Sequence, residues 1–349
     1  MSKDILVYVE QRAGVIQNVG FELCGEARRL AKNVEGAKVV ALVIGDTASK
    51  QAEELRSSGA DVIYYVEDKC LKHYLNETYT KAFEVDYDIP EIPDAEPNEK
   101  DLAIGKYIAE HIKDGDCLQL GIGGIPNAVA KSLYGKKNLG IHTEMLTSEM
   151  VKLAKAGVIN GKCKQTHKGK MVAAFAMGTR EMYDYLDNNP SCAILAGSYV
   201  NDPYVIAQND NQVSINTSLE VDVTGQCCSE SIGSMQFSGT GGQSDTAIGA
   251  QMSKNGKSFI ALYSTAMVRN PATGEKEEVS KIVCQLKPGA TVSLSRNDID
   301  YLVTEYGCVN LKGTTIRERV EKIISIAHPK FRDALMEEAI RIGIIYPRG

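Results

Sequence analysis

The stretch Leu118-Gln-Leu-Gly-Ile-Gly-Gly-Ile-Pro-Asn127, followed by Leu139-Gly-Ile-His-Thr-Glu-Met145, decides the fold class of this chain. An apolar run ends in Gly121, Gly123 and Gly124, and an apolar-periodic helix over Ala128 to Tyr134 follows. A second apolar run then delivers a single carboxylate, Glu144. The pattern is strand, bare backbone loop, helix and strand tip. In an open α/β sheet, ligands bind outside the carboxyl ends of the strands, so the glycine loop and Glu144 are expected to face one crevice.

Upstream, strands are expected at Ile5 to Val9, Lys38 to Ile44 and Asp61 to Val66, with helices at Phe21 to Leu30 and Ala48 to Ser57. Alternation of strands with helices of this length implies a parallel, Rossmann-like sheet. Residues 84–97 break the pattern, because Pro90, Pro93 and Pro97 stand among acidic residues. Proline removes a donor and pushes the preceding residue out of the helical region, so the segment reads as an extended linker between domains 1–83 and 98–349. Asn98 then reads as the N-cap of a helix over Glu99 to Ile112, with Asp101 three residues on. Downstream, helices are expected at Ser148 to Ala156, Arg180 to Asp187, Ile316 to Ile326 and Lys330 to Gly343. Strands are expected at Met171 to Ala176, Phe259 to Ser264, Ile282 to Leu286, Thr291 to Ser295 and Tyr301 to Glu305. Val213 to Val223 is β-rich, and Ser238-Gly-Thr-Gly-Gly242 is a second glycine loop.

A formal charge of -6 over 349 residues gives no electrostatic reason to expect a nucleic acid or an anionic membrane as partner. The start of the chain shows no long apolar leader, and no run approaches the roughly 18 apolar residues of a membrane span. The nine cysteines include no C-x-x-C pair, so neither a zinc site nor a disulfide framework is implied, and a cytoplasmic location is expected.

Two chemistries compete for the glycine loop and Glu144. A dinucleotide fingerprint needs a third small residue at the sixth position of the loop, where this chain has Pro126. Proline there suits the first turn of a helix, not the close helix-to-strand approach that a glycine permits. Alternatively, Glu144 is a nucleophile. A carboxylate attacking a thioester gives an acyl-glutamyl anhydride and a thiolate, provided that backbone donors meet the oxyanion and water is kept out. Gly241 and Gly242 are placed to supply such donors.

Two resemblances sharpen this reading. Asp4-Ile-Leu-Val-Tyr-Val-Glu10, the helix containing Gly25 and Ala27, Val39-Val-Ala-Leu-Val-Ile-Gly45, and Gly59-Ala-Asp61 through His73-Tyr74 and Tyr79-Thr80 resemble the N-terminal domain of the electron-transfer flavoprotein alpha subunit. That family holds its flavin mainly in a C-terminal domain, to which nothing later in this chain is similar, so no flavin is expected.

From about Ile89 onward the chain resembles the acetyl-CoA hydrolase/transferase family, nearest to the 4-hydroxybutyrate or butyryl-CoA:acetate type. The runs that carry the resemblance include Gly121-Ile-Gly-Gly-Ile-Pro-Asn-Ala-Val129, Gly140-Ile-His-Thr-Glu-Met145, Tyr199-Val-Asn-Asp-Pro203, Ile206-Ala-Gln-Asn209, Glu220-Val-Asp-Val-Thr-Gly225, Gly239-Thr-Gly-Gly-Gln243 and Thr304-Glu-Tyr-Gly307. The resemblance implies an α/β CoA-transferase (NagB/RpiA-like) fold and coenzyme A as a substrate, with no metal. Glu144 is then the residue that becomes the glutamyl-CoA thioester. Gly121, Ile122, Gly123, Gly124 and Ile125 line the CoA site, with Gly241 and Gly242 at the CoA and oxyanion position.

Glu220 and Glu305 are rival carboxylates, Asn209 and Gln208 are candidates for positioning the substrate, and His142 is read as a hydrogen-bonded structural residue. Asp245-Thr-Ala-Ile-Gly-Ala250 departs from the Asp-Phe-x-Arg-Gly-Ala that the family often shows, losing an aromatic and a cation. The family also carries a further α/β domain ahead of this half, here replaced by the flavoprotein-like segment. The expected function is therefore CoA transfer between a short-chain acyl-CoA and a carboxylate, with activity open to impairment by that replacement. The alternatives are acyl-CoA hydrolysis, or a non-catalytic accessory role docking a flavoprotein; a homo-oligomer is also open.

Overall fold

In the computed structural model the described residues are 3–9, 11, 12, 15–46, 49, 52–71, 89–269 and 274–347. The chain divides into two compact units, Met1–Ile89 and Pro90–Gly349. His73, Tyr74, Tyr79 and Thr80, which carry part of the flavoprotein resemblance, lie outside the described residues, as does the first part of the acidic segment, 84–88.

In the first unit, β1 (Ile5–Val9), β2 (Val39–Gly45) and β3 (Val62–Glu67) form a parallel sheet in the order β1-β2-β3. Alternation along the strands sends Val7, Val9, Val39, Ala41 and Val43 to one face. There they meet Cys24, Ala27 and Ala31 of α1 (Asn18–Ala31) and Leu55 of α2 (Glu54–Ser57). Of the helix expected over Ala48 to Ser57, residues 48, 50 and 51 lie outside the described residues, and its continuous described part is Glu54–Ser57. On the opposite face Tyr8 pairs through Leu42 with Tyr64, and both tyrosines are exposed.

The second unit opens with residues 90–97, which are tied down within it. Ile92 N donates to Gly178 O at 2.9 Å, Arg180 N donates to Glu91 at 2.7 Å, and Asp94 pairs with Lys152 at 2.6 Å. This half of the expected linker is thus a strap on the second unit. Asn98 then caps α3 (Glu99–Ala109) in a reciprocal capping box with Asp101, closing the helix start that its sequence announces.

The elements that follow are β4 (Cys117–Leu120), α4 (Gly124–Lys131), β5 (Gly140–Leu146), α5 (Ser148–Lys155), β6 (Met171–Ala176), α6 (Arg180–Leu186) and β7 (Cys192–Ile194). Two single-turn helices, α7 (Gly197–Val200) and α8 (Pro203–Ile206), precede β8 (Gln212–Thr217) and β9 (Glu220–Asp222). Then come α9 (Gln243–Met252), β10 (Lys257–Ala261), β11 (Tyr301–Thr304), β12 (Gly307–Asn310), α10 (Ile316–Ser325) and α11 (Pro329–Arg341).

Eight strands form one sheet in the order β12-β11-β10-β8-β4-β5-β6-β7, parallel except for the edge strand β12. From β4 the chain builds outward through β5, β6 and β7, then returns to lay β8, β10 and β11 on β4's other side. The strand order therefore reverses between β4 and β8, and the crevice expected of an open sheet lies at their carboxyl ends. Gly121, the first residue after β4, stands there, its N–H donating to Ile215 O of β8 at 3.0 Å. Beneath it the buried Gln119 accepts from Ser214 Oγ at 2.8 Å and from Ile215 N at 3.1 Å, locking the two strands at the reversal.

Some expectations are corrected. The strand expected at Thr291 to Ser295 is irregular chain, with only an isolated bridge between Leu294 and Cys227, and that at Ile282 to Leu286 shortens to Ile282–Val283. Gln243–Met252, directly after the glycine loop 238–242, is a helix where the sequence reading places no element. Its Ser, Asp, Thr and Gly residues are weak helix formers, and packing of Thr246, Ala247 and Ala250 against the sheet supplies the order that propensity does not.

Candidate active site

Glu144 is the fifth residue of β5, and the in-register pairing of His142 with Val172 and of Met145 with Phe175 shows that the strand is regular around it. Regular alternation puts His142 and Glu144 on one face and Met145 on the other. Half-buried Glu144 meets the start of α9, where Gly242 N donates to Glu144 Oε2 at 3.1 Å. The N-terminus of a ten-residue helix favours negative charge at that point. Space at Gly242 is tight: a Cβ there would lie 2.6 Å from Glu144 Oε2 and 2.6 Å from Asn201 Nδ2, so one or both side chains would have to shift.

Asn201, the C-cap of α7, therefore has its Nδ2 beside Gly242 as well, and its Oδ1 is buried with no partner among the described residues. Asp202 and Asp245 complete the surroundings. Burial, then repulsion from Glu144 and Asp202, pushes the Asp245 carboxyl above its ordinary range. His142, 1% exposed, has its Nε2 2.9 Å from Val200 O, and burial pulls its imidazole down to about 4.

The glycine loop presents backbone. Gly123 has φ +107°, a region that side chains rarely adopt, and caps α4. Gly124 has the Asp101 carboxylate against its Cα, Ile122 is exposed, and Gly121 continues the ladder to β8. The Ile125 side chain is 7% exposed and belongs to the core beneath α4, so only its backbone is on offer to a ligand. A cavity of about 400 Å³ adjoins the loop, walled by Ile122, Met145, Met177 and the strap residues Ile92 and Pro93. Because Met145 points away from the Glu144 face, this cavity is not where the carboxylate projects.

Residues 178–339 match the acetyl-CoA hydrolase/transferase C-terminal domain, and residues 5–84 match the electron transfer flavoprotein domain. The chain is 50% identical over 254 residues to a succinyl-CoA:cyclohexane-1-carboxylate CoA transferase of Geobacter metallireducens, covering 73% of this chain and 56% of that one. It is 47% identical over 277 residues to a 4-hydroxybutyrate coenzyme A transferase of Clostridium kluyveri, covering 78% and 63%. The solved 4-hydroxybutyrate CoA-transferase of Porphyromonas gingivalis superposes with a TM-score of 0.61 and 34% identity, covering 97% of this chain and 74% of that one.

The chain belongs to the acetyl-CoA hydrolase/transferase family. It spans 56% and 63% of the two curated relatives' length.

Within this family member, the other candidates have their own surroundings. Glu305 accepts from Ser264 N and Ser264 Oγ, both at 2.8 Å, and pairs with Lys100 at 3.2 Å. Burial alone would raise its carboxyl, but these partners outweigh it and hold the group below its ordinary range. Glu220, at the start of β9, is 9% exposed, and its Oε1 has no partner among the described residues. Burial raises its carboxyl against the opposing pull of Lys287 and Lys281. Asn209 precedes β8, at the amino end of the sheet, where its Oδ1 accepts from Thr166 N at 3.2 Å; Gln208 beside it is exposed at the same end. Neither is brought to the carboxyl-end crevice. Gly241 is exposed, with no neighbour crowding its Cα.

Asn201 and Asp202 have no role in the reading of the sequence. Their signal was the Tyr199-Val-Asn-Asp-Pro203 run, a polar pair closing one short helix and capping the next. Among the described residues no group of three or more His, Cys, Asp or Glu side chains is disposed to hold a metal ion, and no helix is long and apolar enough to cross a membrane.

Proposed function

We propose that the chain transfers CoA between a short-chain acyl-CoA and a carboxylate through a glutamyl-CoA thioester on Glu144. The observation that carries this is the Glu144 to Gly242 contact at the start of α9. A carboxylate Oε attacks the thioester carbonyl, the C–S bond breaks, and CoA leaves as thiolate from an acyl-glutamyl anhydride. The thiolate then attacks the glutamyl carbonyl and expels the donor acid as carboxylate, leaving glutamyl-CoA. The acceptor carboxylate attacks that thioester, and the released thiolate takes the acceptor acyl group, which restores Glu144. Each step exchanges one acyl bond for another, so no net proton is consumed.

Gly242 N–H is a preorganised donor for the oxyanion that develops on the glutamyl carbonyl. The Asn201 amide lies beside Gly242 and offers a second donor. The bare backbone of Gly121, Gly123 and Gly124 beside the crevice admits a long ligand closely, and CoA contacts remote from the reacting carbon lower the barrier. The relatives are named for succinyl-CoA, butyryl-CoA and 4-hydroxybutyrate, which are the substrate classes to try first.

Incubation with a panel of short acyl-CoAs and acetate, followed by borohydride reduction and peptide mapping, tests the reading. Acyl exchange with a reduced residue at Glu144 supports it, and Glu144→Ala is expected to lose both. Thioester cleavage without exchange would reassign the protein as a hydrolase. An absorbance spectrum with a flavin band and no acyl exchange would favour the accessory role instead.

A further inference from the structure

The helix that carries Asn201 has little to hold it in place by itself. α7 is four residues long, and a single turn fixes several dihedrals for very few hydrogen bonds. Asn201 makes no hydrogen bond through Oδ1 among the described residues, so its amide is placed by the backbone beneath it. That backbone is gripped from the catalytic strand. His142, two residues before Glu144 on the same face of β5, lies with Nε2 2.9 Å from the carbonyl of Val200, the residue immediately before Asn201. A carbonyl only accepts, so Nε2 carries the proton and donates.

The contacts then run in a ring. Beyond Asn201, Asp202 accepts from Tyr204 N at 2.8 Å and caps α8. α8 packs on α9 at Gly249, where a Cβ would lie 2.7 Å from Ile206 and 3.1 Å from Pro203. α9 begins at Gly242, whose N–H returns to Glu144. The ring leaves β5 at His142 and rejoins it at Glu144.

We propose that His142 is a positioning residue for acyl transfer, its Nε2–H bond to Val200 setting how closely Asn201 approaches Gly242 and Glu144. The inference rests on Glu144 being the nucleophile. The surroundings of His142 suit a fixed donor and not a proton carrier: the ring is 1% exposed, and its Nδ1 has no partner among the described residues. Its backbone is pinned as well, since Gln212 Nε2 donates to His142 O at 3.2 Å.

The test is a set of acyl-exchange measurements on the full chain. His142→Leu removes the donor, and His142→Gln keeps an N–H near Nε2. His142→Leu is expected to lower kcat about 10- to 100-fold while KM for the acyl-CoA stays within about twofold, because misplacement of a reacting group acts on the rate more than on remote binding. His142→Gln is expected to recover most of the loss. In an Asn201→Ala background, His142→Leu is expected to cost less than about twofold more, since the two residues act as one unit.

Equal losses for the Leu and Gln variants, or a full additional loss in the Asn201→Ala background, would overturn the positioning role. If His142→Leu fails to fold, the comparison of His142→Gln with wild type in the two backgrounds still decides the matter: a Gln variant with less than about a tenth of wild-type kcat in the native background overturns it. A wild-type chain with no exchange and no labelled Glu144 removes the transferase reading and this inference with it, whereas exchange that is indifferent to His142 removes this inference alone.

Discussion

At Gly242 a single methyl group decides the geometry of the site. Gly242→Ala would put a Cβ 2.6 Å from both Glu144 Oε2 and Asn201 Nδ2, so the carboxylate and the amide must shift from their present places. Acyl exchange is expected to fall about 100-fold with the fold retained, read as kcat beside an unchanged far-ultraviolet spectrum. His142 leaves a signature in stability. Its folded pKa of about 4 lies below the ordinary 6.5, so between these values the unfolded chain binds a proton that the folded chain does not. Stability is therefore present above about pH 6.5 and is lost as pH falls toward 4, by about 3 kcal/mol at most. Urea titrations of wild type and His142→Gln at about pH 7 and about pH 5 check this: the wild type should lose more on acidification than the variant, and parallel losses would exclude the linkage.

The strap over residues 90–97 is the element whose role the chain's composition concealed. Lys152 bridges Asp94 at 2.6 Å and Glu149 at 2.7 Å, and the Glu149 side chain is only 4% exposed. Burial works against the Lys152 charge, but the two carboxylates outweigh it and raise its pKa. Lys152→Met leaves Glu149 buried without its cation and releases Asp94. A loss of about 2 kcal/mol is expected in urea unfolding, along with faster proteolysis within 90–97. Asp94→Asn should cost less than half of that, since Glu149 keeps its partner. Proline and acidic residues mark an extended segment correctly, but extension says nothing about whether the segment is solvated or bound. The hydrogen bond from Ile92 N to Gly178 O depends on a partner 86 positions away, which no local pattern reports.

At the scale of the molecule, the hydrophobic clusters of the two units share no residue: one is built from Val7 to Ala60, the others from residues beyond 100. Separate cores predict separate melting. Calorimetry of the full chain should resolve two transitions, the smaller from the first unit, and one transition with equal calorimetric and van't Hoff enthalpies would contradict that. A CoA ester that binds the second unit should raise only the larger transition.

The glycine run, the lone carboxylate on an apolar strand, the Asn98 cap and the alternation of strands with helices were all legible, because each is a local rule of backbone freedom, capping or periodicity. The resemblance to a CoA-transferase could be read for the same reason, since its motifs are contiguous. What only the tertiary structure decided was how these pieces meet. It put Gly242 against Glu144, 98 positions away, and Asn201 beside both; it buried the Ile125 side chain in the core and Asn209 at the amino end of the sheet. The meeting of Gly242 and Glu144 goes with the reversal of strand order between β4 and β8. Strand order is settled by packing among distant segments, and a local pattern of residues does not encode it.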